Sequence, residues 1–227
     1  MTVSAGISKK DATTALKDVF QAIGSSLATV PLTVRKPTAG KVYELVVLAE
    51  VLSDLAHRGF SLSFSNPGGK VSLKAGPGQL LQSDPHFDVA TAGVTRFQVF
   101  VSVEFSTLGA HGAHATDLSG RHEIDVGVFD VGCGAYPRHD QIALAVECKA
   151  VATLTKALVR GVLGLRRELS YVTDPRPSRL ARALRRSVPS VPANPPSEVW
   201  LVASDQNVLQ YAASPRRFGV ECRHVHP

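Results

Sequence analysis

Two stretches decide the fold: Gln141–Lys149, QIALAVECK, and the run before it, His122–Asp130, HEIDVGVFD. Both are strand-like, and in an extended chain alternate side chains share a face. Ile142, Leu144, Val146 and Cys148 then point one way, while Ala143, Ala145, Glu147 and Lys149 point the other. In the earlier run Asp125 shares a face with Glu123 and Gly127. Pairing the two as a hairpin around Gly132–Asp140 brings Asp125 towards Glu147. Two carboxylates converging at a strand end offer the hard oxygens that a cation such as Mg²⁺ takes. A lysine beside them can orient or deprotonate a water, or stabilise charge developing on a phosphate. The plainer alternative is a partly buried Glu147–Lys149 ion pair with Asp125 at a solvated strand end. An acid-x-Lys triplet arises by chance roughly 0.75 times at this content of acids and lysines, so the motif counts only in context. Here the single triplet closes the most apolar strand of the chain.

Outward from these strands, residues 11–28 predict a short helix with Asp11 as N-cap, and 41–58 a second helix ended by Gly59. Residues 60–75 read as a hairpin around Asn66-Pro67-Gly68-Gly69, and 76–93 as loop. A strand over Arg96–Phe105 precedes the two already described. A long helix over Val151–Tyr171 follows, then a basic stretch and a linker, VPSVPANPP, at 188–196. The chain closes on a strand (Glu198–Ala203), a short helix near Val208–Ala213 and a last strand at Gly219–Arg223. This order predicts an α/β fold, a three-layer α/β/α sandwich around a central mixed sheet. It divides into an N-terminal helix and connection (1–40) and an α/β domain (41–227) carrying a basic arm and Pro-rich linker at 174–197.

The second helix supplies a further carboxylate. At 100° per residue with Leu45 at zero, Leu48, Val51, Leu52 and Leu55 define an apolar stripe, and Glu44 falls inside it. Glu50, Asp54 and His57 lie opposite. A carboxylate on a core-facing side needs a partner, because unpaired burial is costly. Glu44 is therefore the functional candidate on this helix.

Tyr43-Glu44 with Gly59-Phe60, Glu123-Ile124-Asp125 and Glu147-Cys148-Lys149 resemble the PD-(D/E)XK nucleases, of restriction-endonuclease-like fold, in the manner of Mrr-type restriction enzymes and archaeal Holliday-junction resolvases. The resemblance covers about Lys41 to Ala203. It implies a Mg²⁺-dependent endodeoxyribonuclease, with Mn²⁺ as substitute, in which Asp125, Glu147 and the Cys148 backbone carbonyl hold the metal. Glu44 would assist through a water, and Lys149 would serve the attacking water. Ile124 stands where the family name has proline. The 22-residue interval from Asp125 to Glu147 is long, and Asp130 is the alternative ligand if the register differs. A non-catalytic nucleic-acid-binding protein of this fold and an RNA-cleaving enzyme are the competing readings.

The chain has 227 residues and a net charge of +6. From Lys149 to Arg186 ten basic residues stand against Glu168 and Asp174, a charge of +8 that leaves −2 for the rest. One basic region on a near-neutral body predicts a polyanionic partner, nucleic acid first, and the resemblance implies that it is double-stranded DNA. On the long helix Lys156, Arg160 and Arg167 cluster opposite the stripe Val151, Leu154, Leu158, Val162, Leu165 and Leu169. Beyond it Arg176, Arg179, Arg182, Arg185 and Arg186 recur every few residues and predict phosphate contact.

Other classes fall away. Three cysteines without CxxC spacing argue against a disulfide framework or zinc site and for a reducing cytoplasm. No apolar run approaches the roughly 18 residues of a membrane span, and the N-terminus lacks a signal-peptide pattern. His111, His114 and His122 lie in a Gly/Ala-rich loop unsuited to zinc. Gly132-Cys133-Gly134 lacks the rest of a P-loop, and no GxSxG elbow occurs. Trp200 reads as core. The sequence leaves a homodimer open.

Overall fold

The computed structural model describes residues 9–22, 32–34, 38–66, 71–74, 76–110 and 118–226. Their elements are, in order, α1 (Lys9–Ala22), β1 (Leu32–Val34), α2 (Ala39–Arg58), β2 (Ser61–Ser65), β3 (Val71–Leu73), β4 (His86–Thr91), β5 (Val94–Ser106), β6 (Arg121–Asp130) and β7 (Ile142–Lys149). Then come α3 (Lys156–Leu169), β8 (Tyr171–Pro177), α4 (Arg179–Ala183), β9 (Ser190–Asn194), β10 (Glu198–Ala203), α5 (Ala213–Arg216) and β11 (Val220–His224).

Seven strands form a mixed sheet in the order β11-β10-β7-β6-β5-β4-β2. β7, β10 and β11 are parallel, and the remaining neighbours are antiparallel. On one side α1, α2 and α4 pack with Leu144, Val146 and Val202; on the other α3 packs with Ala145, Leu201 and Val220. The result is the expected three-layer α/β/α sandwich.

The central helix α2 is well punctuated. The Thr38 hydroxyl accepts from the Lys41 N–H at 3.3 Å, and Gly59 closes the helix in the left-handed region at φ +105°. It lies between α1 and the sheet, so its burial extends from Val42 through Ala49. Ala12, Leu16, Val19 and Phe20 of α1 share that core, so α1 packs in one unit with α2 and the sheet.

Four expectations are corrected. β2 pairs with β4, not β3, while β3 runs parallel to β1. Phe64 meets Phe87 across that pairing, and Phe20 packs on both rings with centroids 5.5 Å away, an aromatic cluster that outweighs a local hairpin. Residues 67–70 of the expected turn lie outside the described residues. Second, the segment read as loop contains β4, joined to β5 by Ala92-Gly93, both at positive φ. Alanine is a poor residue for such a turn, so the hairpin carries no sequence signal.

Third, the arm and linker at 174–197 are folded: β8 and β9 pair antiparallel on either side of α4. Their prolines sit in a two-stranded ribbon, where missing ladder donors are tolerated. The long helix also begins later than expected. Asp205 Oδ2 accepts the Leu154 N–H at 2.7 Å, and Thr155 caps α3. Arg166 is buried on α3 and donates to the Ser197 carbonyl at 2.7 Å, tying the helix to the start of β10.

Candidate active site

The acidic cluster forms where the sheet departs from simple alternation. Along β5, Val99 and Val101 belong to the α1/α2 layer, whereas Val103 and Phe105 belong to the α3 layer. The switch falls at Ser102, a fully buried non-glycine residue at φ +53°. Such a conformation costs on the order of 1–3 kcal/mol and persists only where the surroundings impose it. β6 switches in step, with Val126 in the α1/α2 layer and Ile124 in the other. Val101 pairs with Val126 and Val103 with Ile124, so Ser102 and Asp125 face each other at the switch.

β6 and β7 pair as far as Val126 and Val146. One step further along that register sets Asp125 opposite Glu147. The ladder stops here because the Asp125 side chain takes its place: Oδ2 accepts the Cys148 N–H at 2.7 Å. The Glu147 carboxylate is ion-paired with the Lys149 ammonium. The Cys148 side chain packs with the α1/α2 core, and burial followed by the Asp125 charge pushes its thiol well up, which disfavours a nucleophilic role.

From α2, Glu44 reaches the same place. It is only 8% exposed, as the helical stripe predicts. Its Oε2 accepts from Lys41 Nζ at 2.8 Å and from Ser102 Oγ at 3.2 Å. Lys41 Nζ also donates to Ser102 Oγ at 2.6 Å and stands 3.8 Å from Glu123 Oε1. Lys41 and Ser102 were not singled out by the sequence reading. Lys41 had a signal, lying three residues before Glu44 on one helix face; Ser102, inside an apolar strand, had none.

The electrostatics record the crowding. Burial pushes the Glu44 carboxyl up to about 7, the Asp125 charge adds to the rise, and Lys41 and Ser102 restrain it. Burial also raises Glu123 and Glu147, each reinforced next by Asp125. Asp125 itself is raised by burial against the hydrogen bond from Cys148. At Lys149 burial opposes the charged form, but Glu147 and Asp125 together outweigh it and raise its pKa.

Among the described residues no three His, Cys, Asp or Glu side chains form a ready cation-binding group. The chemistry of the Asp125–Glu147 pair nonetheless fits a hard divalent ion: two carboxylates on adjacent strands, with Glu147 raised by burial first and by the Asp125 charge next, a condition a cation relieves. Of Cys148 it is the N–H that engages Asp125. Asp130, the alternative ligand, lies five residues along β6, about 16 Å at the usual strand rise, and its carboxylate is gripped by Arg179.

The basic residues separate into two groups. Lys156, Arg160 and Arg167 are exposed on α3, and Lys156 follows Lys149 by seven residues. Arg176, Arg182, Arg185 and Arg186 are also exposed. Arg179 is not available in the same way, since it holds both Asp130 and the Asp140 carbonyl. α4 docks at the far end of the sheet: Ser178 Oγ donates to Glu198 at 2.6 Å, and Glu198 accepts from Arg58 at 2.8 Å. Arg58 ends α2, about 21 Å along the helix from Glu44. Of the histidines, His111 and His114 fall outside the described residues. No described helix is long and apolar enough to cross a membrane. Comparison with protein-family models, curated proteins and solved structures finds no match for the chain.

Proposed function

We propose that the chain is a metal-dependent endonuclease that hydrolyses phosphodiester bonds in DNA, of the PD-(D/E)XK kind. One observation carries the reading: Asp125 and Glu147 are adjacent across two paired strands, with Lys149 two residues on and Glu44 arriving from α2. Three separate elements contribute carboxylates to one partly buried acidic cluster, an expensive arrangement for a fold to keep without a charge to meet it.

Asp125 and Glu147 would hold Mg²⁺, with Mn²⁺ as substitute. When bound, the ion supplies positive charge to the scissile phosphate and to the water that attacks it. The chain's own residues do the rest. The Cys148 N–H fixes Asp125 in position, so that this carboxylate needs no reorganisation. Lys149 is a charged donor beside Glu147, able to orient a water and to meet negative charge developing on the phosphate. Glu44, with its carboxyl raised to about 7, is matched to take or return a proton near neutral pH, directly or through a water. Lys156 and Arg160, exposed in the first turns of the helix that follows β7, would supply phosphate contact.

The decisive experiment is incubation with supercoiled plasmid in Mg²⁺ or Mn²⁺, beside EDTA and the D125A and E147A variants. Nicking by the wild type alone, lost in EDTA, supports the reading. DNA retention without cleavage in either metal replaces it with a non-catalytic binding protein, and cleavage confined to an RNA substrate with a ribonuclease.

A further inference from the structure

We infer that Lys41 is the resident cation of the acidic cluster: its ammonium occupies, among Glu44, Ser102 and Glu123, the position a second divalent ion would take, so the cluster accepts one divalent ion and no more. The inference rests on the reading of Asp125 and Glu147 as the metal pair.

Lys41 is not a surface lysine that happens to lie near an acid. Its side chain is 13% exposed, and its ammonium has three oxygen partners, Ser102 Oγ at 2.6 Å, Glu44 Oε2 at 2.8 Å and Glu123 Oε1 at 3.8 Å. Two of these partners are themselves buried, and Ser102 reaches the ammonium only because β5 turns left-handed there. The Thr38 cap fixes the helix start, and Lys41 with it. Three converging oxygens around one positive centre form the environment a hard cation selects. The charge count agrees. With every carboxyl ionised, Glu44, Glu123, Asp125 and Glu147 carry four negative charges, Lys41 and Lys149 two positive ones, and the remaining two match one divalent ion. Lys41 acts through the carboxylates and the hydroxyl it holds and is a positioning residue.

The test is calorimetric titration of the full chain with MnCl₂ at pH 8, comparing wild type with K41A, K41Q and K41R. Circular dichroism establishes that each is folded, and K41Q, which keeps most of the side-chain volume, decides the matter if K41A is not. The expected result is one Mn²⁺ per chain for wild type and K41R and two for K41A and K41Q. No ion in wild type but one in both neutral variants keeps Lys41 as resident cation and sinks the reading of Asp125 and Glu147. One ion in every protein overturns the inference and leaves the metal pair standing. Two ions in wild type overturn it as well, and none in any variant overturns both.

Discussion

Replacing Glu44 with Gln removes a charge that the fold tolerates at a cost. The carboxyl is pushed up from its ordinary 4.5 to about 7, chiefly by burial. A folded-state pKa above the unfolded one means that the native chain holds more protons between those two values. Stability contributed by the protonated form is complete below the unfolded pKa and is lost as pH rises through the folded one. Integrated between pH 5 and pH 8, a rise of this size amounts to about 2.5 kcal/mol. The glutamine oxygen can still accept from Lys41 and Ser102, so the hydrogen bonds survive the change. Urea unfolding of both proteins in EDTA, at unit steps across that range, gives the difference in stability at each pH, and protonation of the histidines cancels in the subtraction. E44Q should gain on the wild type by about 2.5 kcal/mol from pH 5 to pH 8, roughly 5–10 °C in Tm for a chain of this length. A difference that stays flat across the range would refute the reasoning, because Lys41 would then compensate the buried charge in full.

The remaining predictions concern the other charged groups. D125A should lose Mn²⁺ binding by calorimetry and, with the Cys148 N–H left unpaired, about 1–3 kcal/mol of stability in urea. K149A should keep metal binding while single-turnover cleavage falls about 10²–10³-fold; a destabilised but fully active variant would reduce Lys149 to the ion-pair partner of Glu147. Neutralising Lys156 and Arg160 should flatten the salt dependence of DNA binding by about 0.9 per lost phosphate contact, read by fluorescence anisotropy. Arg179→Ala should instead lower Tm, since its guanidinium holds Asp130 and the Asp140 carbonyl together; an unchanged Tm with weakened DNA binding would return Arg179 to the nucleic-acid surface.

What the sequence could and could not reveal follows from the range of the forces involved. β6 and β7 were legible because each is a local apolar run, and α2 because burial of Glu44 shows in the helical period of its neighbours. β4 and the β8–β9 ribbon were not. Phe87 and Val89 become a core face only once Phe20 and Phe64 arrive from elsewhere in the chain, and nothing within residues 76–93 announces them. The arginine stretch shows the same limit in reverse. Its spacing predicts phosphate contact for all five arginines, yet Arg179 is consumed by Asp130, 49 residues away, while its neighbours stay exposed. The candidate site divides along the same line. Glu44, Asp125, Glu147 and Lys149 stand on elements whose faces have a period, so their convergence could be anticipated. Ser102 stands where the period fails. A left-handed serine inside a strand reverses the faces of β5 and β6 together, and no alternation rule applied to either strand alone contains that reversal. It is nonetheless what allows a β5 hydroxyl to meet Glu44 and Lys41 of α2, so the residue hardest to read from sequence is the one that ties the sheet to the helix carboxylate and its lysine.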